Sequence, residues 1–337
     1  MPLLVEPNYH PPSFLFNGHL QVIWANLCRR VSGVVYQRER IDTPDGDFLD
    51  LDWGRVGSDK LALLTHGLEG HSRRPYVLGT LREANRRGWD GLAWNFRSCG
   101  GDMNLQPRMY HSGATDDLHR VVSYAVTQGY CRIHLVGYSM GGNLSLVYCG
   151  REAQLLPAEV KSVAAFSVPC DLEASAWQLA KPQNRIFMWK FLGDLREKIE
   201  HKARMFPHLI SVDGFSSIRN FKQFDDRYTA PMHGFADAED YWHQSASGRY
   251  LQQIRLPALL VNAENDPFLS PSCYPRSFAA GSDTFTLEIP ASGGHVGFIL
   301  RSADQTYWME QRAMDFVAVH NAEADVAEAQ RRAVNCE

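Results

Sequence analysis

The chain has 337 residues, of which 45% are hydrophobic and 21% charged, and this composition excludes disordered, collagenous and coiled-coil proteins. Its 34 basic and 38 acidic residues give a formal net charge of -4, which argues against the strong overall basic charge typical of proteins that bind duplex nucleic acid. Since α/β folds of this length are often one domain, we predict a single domain over residues 1–337 and no nucleic-acid partner.

The cysteines and the N-terminus indicate the compartment. The seven cysteines are scattered without a C-x-x-C pair, a pattern typical of packed thiols rather than of disulfides or a zinc site. The first twelve residues lack the basic and apolar regions of a secretory signal, and no apolar run is long enough to cross a membrane. These features predict a cytoplasmic protein without a transmembrane segment.

The first half of the chain alternates β-branched runs with helical patterns. Val34–Ile41 and Phe48–Trp53 are predicted to form an antiparallel hairpin around the turn Pro44-Asp45-Gly46. The near-continuous apolar runs that follow are typical of central parallel strands: Lys60–Thr65, Gly91–Asn95, Arg132–Val136 and Val160–Ser167. Helical spacing predicts crossover helices at Pro75–Arg87 and Thr115–Gln128.

The strand rhythm stops after Ser167. Residues 172–250 are aromatic and irregular, and strand patterns resume at Pro257–Asn262 and Thr284–Ile289, before a last helix from Gln305 to about His320. We therefore predict an α/β fold with a mostly parallel, doubly wound sheet and a helical cap inserted at residues 172–250. Residues 321–337 carry few large apolar groups and are predicted to be a peripheral tail, either a peripheral helix or a frayed end.

A serine motif follows the strand that ends at Val136. The sequence Gly137-Tyr138-Ser139-Met140-Gly141 leads into a helical pattern at Asn143–Cys149. G-x-S-x-G between a strand and a helix is typical of a nucleophile elbow, which presents the serine Oγ at the carboxyl end of the sheet. The alternative is a glycine-rich turn that only allows close packing. The strand before the motif and the helix after it favour the elbow, with Ser139 as the nucleophile.

A serine nucleophile needs a histidine base and a carboxylate that orients the base. Asp266 follows one late strand and His295 follows the next, both in loops. The order Ser139, Asp266, His295 is that of the α/β-hydrolase fold. Taken alone, His295 could be an exposed loop histidine, and Asp266 could be an aspartate that forms a turn. Other acids that compete for the orienting role are Asp171, which we regard as the main rival, and Asp225 or Asp226.

Acyl transfer also needs donors for the oxyanion that forms on the substrate. The loop Thr65–Gly70 follows the strand predicted to lie beside the nucleophile strand, so the backbone amides of Leu68 and Met140 are the predicted donors. His66, Glu69 and His71 do not match the zinc-protease motif H-x-x-E-H, because this motif requires its second histidine where Gly70 stands. The sequence therefore predicts no metal, and the proposed chemistry requires no cofactor.

These motifs together resemble one family. They are Asn17-Gly18-His19-Leu20-Gln21, His66-Gly67-Leu68-Glu69-Gly70, Asn95-Phe96-Arg97-Ser98-Cys99-Gly100-Gly101, the Ser139 elbow, Phe224-Asp225-Asp226 with His233-Gly234-Phe235, and Gly293–Phe298. The chain resembles the YheT-like branch of the α/β-hydrolases, also called AB hydrolase superfamily family 4, over nearly its whole length. The resemblance implies carboxylic ester hydrolysis through Ser139, Asp266 and His295. Ser98 departs from the glycine usual in that family, which bears on substrate fit.

The predicted cap contains a basic, aromatic stretch at Lys181–Arg204, with a local charge balance of +4. Phe187, Trp189 and Phe191 within it are the predicted substrate-binding residues, because chain-length preference must come from apolar surface. Such a helix either packs its apolar face on the core or lies on a membrane surface, and we favour packing. The apolar segment near His19 is expected to pack against the cap or rim, with His19 in a structural role.

The predicted function is that of a serine carboxylic ester hydrolase, which forms an acyl-enzyme with small to medium acyl esters. The predicted substrate is a small-molecule ester or a lipid. A lipase, phospholipase or thioesterase would use the same triad on a different leaving group. A noncatalytic binding protein that kept the fold is the alternative from a different class, since fold does not imply activity.

Overall fold

The protein is built on one nine-stranded sheet. The structure, a computed structural model, describes residues 3–4, 7, 9–300, 302 and 305–334. The strands of the described residues are β1 (Leu3–Leu4), β2 (Gln37–Asp42), β3 (Phe48–Gly54), β4 (Lys60–Thr65), β5 (Asp90–Asn95), β6 (Arg132–Tyr138), β7 (Val160–Phe166), β8 (Ala258–Val261) and β9 (Phe285–Glu288). Their order across the sheet is β1-β9-β8-β7-β6-β4-β5-β3-β2.

Most neighbouring strands are parallel. β2 pairs antiparallel with β3, as predicted for the hairpin, and β3 pairs antiparallel with β5, whereas the pairs from β5 through β4 and β6 to β9 and β1 are parallel. Ser139 is the residue directly after β6, so it lies at the carboxyl ends of the parallel strands. Because β6 is the central strand, Ser139 is near the middle of that edge of the sheet. This arrangement confirms the predicted α/β fold class.

Helices cover both faces of the sheet. They are α1 (Gly18–Leu27), α2 (Pro75–Arg86), α3 (Thr115–Thr127), α4 (Met140–Arg151), α5 (Leu172–Leu179), α6 (Arg185–Met205), α7 (Phe221–Phe224), α8 (Ala230–His233), α9 (Ala238–Ser245), α10 (Arg276–Ala280) and α11 (Trp308–Val334). Leu61 and Leu63 of β4 pack in the core that includes α3 and α4, and Ala62 and Leu64 pack on the opposite face in the core that includes α2 and α11. The alternation follows from the two-residue period of a strand.

Helices α5–α9 occupy the chain between β7 and β8, in the segment predicted as a cap; residues 172–250 are called the cap segment below. In α6 the residues Met188, Leu192, Leu195 and Ile199 are buried at helical spacing, so this face of the helix packs on the body of the protein. A π-helical turn, Asp225–Thr229, joins α7 to α8. The cap segment thus lies in the chain after the strand beside the Ser139 strand.

Several elements differ from the sequence prediction. Helix α1 and strand β1 were not predicted, and α4 begins at Met140 rather than Asn143. The last helix begins at Trp308 rather than Gln305 and runs on to Val334, so residues 321–334 are helical, one of the two alternatives for the tail, and residues 335–337 lie outside the described residues.

The cysteines of the described residues form no disulfide. The six cysteines from Cys28 to Cys273 are free, and Cys336 lies outside the described residues. In the part of the chain that the structure describes, the helices are too short or too polar for any one of them to span a bilayer.

Candidate active site

Ser139 lies in a strained turn between β6 and α4. Its backbone φ is +53° and its ψ is -122°, a conformation that a residue with a side chain rarely adopts. The Ser139 amide donates a hydrogen bond of 2.8 Å to the carbonyl of Phe166 in β7, which anchors the turn to the sheet. Strain of this kind is common at functional sites. Here it projects the side chain away from the sheet edge.

The glycines of the motif are required by close backbone contacts. A Cβ on Gly141 would lie 2.3 Å from the carbonyl oxygen of His66, and a Cβ on Gly137 would lie 2.6 Å from that of Gly141. Both distances are shorter than a carbon atom tolerates. The second residue of α4 is therefore glycine despite its low helix propensity, because no larger residue fits between the helix and the loop after β4.

The structure brings the three predicted catalytic residues into one hydrogen-bonded chain. The Nε2 atom of His295 lies 2.8 Å from Ser139 Oγ, and its Nδ1 atom lies 2.8 Å from Asp266 Oδ2. A carboxylate only accepts hydrogen bonds, so Nδ1 carries the proton and Nε2 is left to accept the serine hydroxyl. Asp266 Oδ1 accepts the amide of Phe268 at 2.9 Å, which fixes the carboxylate plane. This geometry is the one that activates a serine.

Helix α1 supports the loops of both His295 and Asp266, a role that the sequence analysis missed. The buried Gln21 Oε1 accepts the Gly293 amide at 2.9 Å, and Asn265 Oδ1 accepts the Gly294 amide at 2.9 Å. A Cβ on Gly18 would lie 2.1 Å from the carbonyl oxygen of Asn265. The motif Asn17–Gln21 was the available signal, because its Gly and Gln are the residues that make these contacts.

The rival acids have other partners. Asp171 caps helix α5 by accepting the Ala174 amide, and Asp226 pairs with Lys222 at 2.6 Å. Asp225 accepts hydrogen bonds from Thr229 Oγ1 and from the indole of Trp242. Among the described residues, Asp266 is the carboxylate that contacts His295. The structure therefore pairs His295 with the acid that the sequence analysis favoured.

The predicted oxyanion donors lie beside Ser139. Leu68 and Met140 line the same pocket as Ser139 and His295. Met140 is the first residue of α4, so its amide has no acceptor within the helix. No group of the described residues accepts a hydrogen bond from the Leu68 amide either. Both amides are thus available to a ligand oxygen.

The loop that carries Leu68 is tied to the cap segment. The next residue, Glu69, has a positive φ of 52° and accepts hydrogen bonds from Lys198 Nζ at 3.0 Å and from Tyr110. Lys198 belongs to α6 and also lies 3.0 Å from Cys99 Sγ. Burial alone would lower the pKa of Lys198, but the contacts with Cys99 and Glu69 raise it above its usual value. A buried ion pair therefore joins α6 to the residue after a predicted oxyanion donor.

The buried side chain of His66 stabilises the loop that carries Leu68 through hydrogen bonds to the backbone. Its Nδ1 lies 2.8 Å from the carbonyl of Gly67 and its Nε2 accepts the amide of Phe96. Burial lowers the pKa of His66 to about 3, so the ring is neutral. Both ring nitrogens are occupied, which supports a structural role. Within the described ranges, no three His, Cys, Asp or Glu side chains cluster in a way suited to a metal ion.

The predicted substrate-binding residues lie in three different environments. Phe191 lines the pocket with Ser139. Phe187 packs behind the pocket, with its ring 4.8 Å from that of Phe268. Trp189 is 77% exposed, so the prediction that it contacts substrate is not retained. The reason is helical phase, because Met188 and Leu192 define the inward face of α6 and Trp189 points away from it.

Ser98, where the family usually has glycine, also adopts a left-handed conformation. Its φ is +64°, which explains a preference for glycine there. The Ser98 hydroxyl donates to Asn104 Oδ1 at 2.5 Å, and the preceding Arg97 is buried in ion pairs with Asp47 and Asp117. These bonds fix the loop that follows β5.

The fold and the site together define a class of protein. A mostly parallel, doubly wound sheet with a serine at a strand-to-helix elbow, and an acid and a histidine after later strands, is characteristic of α/β-hydrolases. A family model described as alpha/beta hydrolase fold matches residues 62–302. The chain is 31% identical to YheT of Escherichia coli over 90% of this chain and 91% of that protein. It belongs to the YheT-like branch of the α/β-hydrolases, as its motifs predicted.

Two further relatives have lower identities. The chain is 28% identical to phospholipase ABHD3 of Bos taurus, over 88% of this chain and 74% of that protein. It is 26% identical to a monoacylglycerol lipase of Saccharomyces cerevisiae, over 99% of this chain and 73% of that protein. Among solved structures, an esterase of Pyrococcus furiosus matches with a TM-score of 0.56 at 18% identity, over 86% of this chain and 95% of that one. This last likeness concerns the fold alone.

Proposed function

We propose that this protein is a serine carboxylic ester hydrolase that acts on small to medium acyl esters. The observation that carries the proposal is the chain of two 2.8 Å contacts from Asp266 through His295 to Ser139, beside a pocket. Two backbone amides next to Ser139 without partners among the described residues add an oxyanion site to this arrangement. A triad and an oxyanion site together are what acyl transfer requires.

In the proposed mechanism, His295 accepts the proton of Ser139 as Oγ attacks the ester carbonyl. Asp266 holds the imidazole in the required tautomer and stabilises its charged form. The amides of Leu68 and Met140 donate to the oxyanion of the tetrahedral intermediate. His295 then protonates the leaving alcohol, and the same histidine activates a water that hydrolyses the acyl-enzyme.

The chemistry of the pocket supports an ester with an apolar acyl group. The side formed by α5 and α6 is lined by Leu172, Leu179, Phe191 and Leu195. Apolar walls bind alkyl chains at about 0.8 kcal/mol for each buried methylene. Two relatives are named phospholipase and monoacylglycerol lipase, which supports acyl lipids as a related substrate class.

Hydrolysis of p-nitrophenyl esters of increasing acyl length tests the proposal directly. We expect turnover well above the uncatalysed rate, with an optimum among short and medium chains. A protein that binds these esters without hydrolysing any of them would instead be a noncatalytic binder.

The chain-length optimum is expected to depend on Phe191. Phe191→Ala removes an apolar contact with the acyl chain, so each methylene that loses its contact should lower kcat/KM by about fourfold. The matched control is Trp189→Ala, which removes a larger side chain of the same helix that points to solvent. An identical profile in Phe191→Ala and wild type would mean that the acyl chain does not contact Phe191.

We further propose that helix α1 contacts a lipid surface. Its residues Leu20, Ile23, Trp24 and Leu27 recur at helical spacing, and all four side chains are exposed. Phe14 and Phe16 precede them and are also exposed. An apolar stripe that faces outward is unusual, since such a stripe normally packs inward.

Charge supports an anionic lipid surface. The sequence from Pro7 to Gln37 contains no acidic residue, nor does Lys181–Gly193, although the whole chain has a net charge of -4. His19 bonds Asn184 at 2.9 Å, so α1 adjoins the start of α6. Apolar and aromatic residues with basic neighbours are typical of helices that lie in a membrane interface.

Vesicle sedimentation tests the lipid contact. Wild type is expected to sediment with vesicles that contain phosphatidylglycerol, and Trp24→Ser with Leu27→Ser should weaken this binding at least about tenfold. Leu155→Ser, an exposed leucine after α4, is the control. Equal sedimentation of the wild type and the double variant contradicts the contact. A smaller oligomer in the double variant, without vesicle binding by wild type, would assign the stripe to a second copy.

A further inference from the structure

The pocket that contains Ser139 has a second, polar side that the mechanism does not use. Whereas the wall formed by α5 and α6 is apolar, this side carries polar and aromatic side chains, which are those of His111, Asp225, Thr229, His233, Tyr241 and Trp242. These residues come from the loop before α3, from the π-helical turn, and from α8 and α9. We call this group of residues the polar subsite.

Asp225 is the only acid of the polar subsite, and the hydrogen-bond donors to its carboxylate are all neutral groups among the described residues. Its side chain is buried, with Thr229 Oγ1 donating to Oδ1 at 2.5 Å and Trp242 Nε1 donating to Oδ2 at 2.8 Å. Neutral donors orient a carboxylate but leave its charge unbalanced. Burial accordingly raises the pKa of Asp225 to about 7.

The surrounding groups supply no compensating charge. Among the described residues, no Lys, Arg or His forms an ion pair with Asp225, and its charged neighbour is another acid, Asp226. The imidazole rings of His111 and His233 lie 4.4 Å apart. Burial lowers the pKa of His111 well below its usual value and that of His233 to about 4, so both rings are neutral.

The arginines near His111 are bound elsewhere. Arg108 pairs with Asp45 and Asp116, and Arg151 pairs with Glu152. Tyr241, the remaining titratable group, donates its hydroxyl to Ser112 and is held neutral by burial, which raises its pKa. A buried acid with hydrogen-bond donors but without a cation therefore faces a pocket beside the proposed nucleophile.

We propose that the polar subsite binds an organic cation, a protonated amine or a quaternary ammonium group carried by the ester substrate. The inference rests on the proposed function, because it assigns one part of the substrate of Ser139. A buried carboxylate gains most from a ligand that brings the opposite charge. The aromatic rings of Trp242 and Tyr241 in the same wall attract cations through their π faces. A phosphate group at this position would meet the charge of Asp225 and be repelled.

Paired esters test the charge preference. A choline ester and the 3,3-dimethylbutyl ester of the same acid have the same shape, and they differ in whether nitrogen or carbon stands at the centre of the head. We expect wild type to hydrolyse the choline ester with a kcat/KM about 10- to 100-fold higher above pH 7. In Asp225→Asn the ratio of the two kcat/KM values should fall close to one. Equal kcat/KM values for both esters in wild type overturn the proposal.

Asp226→Asn is the matched control, because it removes the same charge from the adjacent residue. Asp226 pairs with Lys222 and does not line the pocket. This variant should keep the wild-type ratio. The same loss of preference in both variants would assign the effect to net charge and overturn the subsite.

A binding measurement on the unchanged protein separates this inference from the proposed function. Calorimetric titration of wild type with choline and with 3,3-dimethylbutanol does not depend on hydrolysis or on the folding of a variant. Tighter binding of choline, about tenfold or more, is expected. If choline binds but no ester is hydrolysed, the proposed function fails and the subsite stands. If p-nitrophenyl esters are hydrolysed but choline binds no more tightly than its neutral isostere, the subsite fails.

Discussion

Ser139→Ala is expected to lower kcat for p-nitrophenyl ester hydrolysis by about four to six orders of magnitude. The variant removes the Oγ atom that lies 2.8 Å from His295 Nε2, and no other hydroxyl is bonded to that nitrogen among the described residues. Alanine keeps the Cβ, so the strained turn at φ +53° is unchanged. The thermal unfolding midpoint should therefore stay near that of wild type.

The control for this variant is a buried serine that contacts a different histidine. Ser162 in β7 lies 2.7 Å from His134 Nδ1, which makes a serine–histidine pair away from the pocket. Ser162→Ala should leave kcat unchanged. A fluorophosphonate probe should label the peptide that contains Ser139 in wild type and in Ser162→Ala, but not in Ser139→Ala. Turnover within tenfold of wild type in Ser139→Ala would remove this residue from the mechanism.

The strands were predictable because the sheet is covered on both faces. The central strand Lys60–Thr65 has four consecutive buried apolar residues, a run that suits a strand covered on both faces, so its position is visible in the sequence. Helix α1 was missed although Leu20, Ile23, Trp24 and Leu27 have helical spacing. The segment precedes the strand rhythm, and its apolar side faces outward instead of marking a core.

The Ser139 elbow was predictable because its glycines are required by close backbone contacts within the turn itself, such as that between Gly137 and Gly141. The residues that support the loop of His295 could not be predicted, because the hydrogen bond from the Gly293 amide to Gln21 joins positions 272 residues apart. The inward face of α6 was hidden for a related reason. Apolar residues occupy Ile186–Trp189 without interruption, so only contacts with distant parts of the chain, such as Phe268, decide which side is buried.

Asp266→Asn is expected to lower kcat by about four orders of magnitude with little change in KM. The Asp266 carboxylate accepts the proton of His295 Nδ1 at 2.8 Å, and an amide can turn its NH₂ group toward this nitrogen instead. The imidazole would then hold its proton on Nε2, where it cannot accept one from Ser139. Substrate contacts are untouched, so binding should persist. Steady-state kinetics on the best p-nitrophenyl ester give both constants.

Asp171→Asn separates this role from a general loss of negative charge near the site. The Asp171 side chain accepts the Ala174 amide at the start of α5, and asparagine caps a helix about as well as aspartate. The activity of this variant should stay within about threefold of wild type, since the cap is kept and no contact with His295 is lost. The reverse ranking, with Asp171→Asn severe and Asp266→Asn mild, would mean that the orienting acid follows β7. In that case His295 would have to leave Asp266 during the reaction, and the hydrogen-bonded chain through Asp266 would be a resting arrangement only.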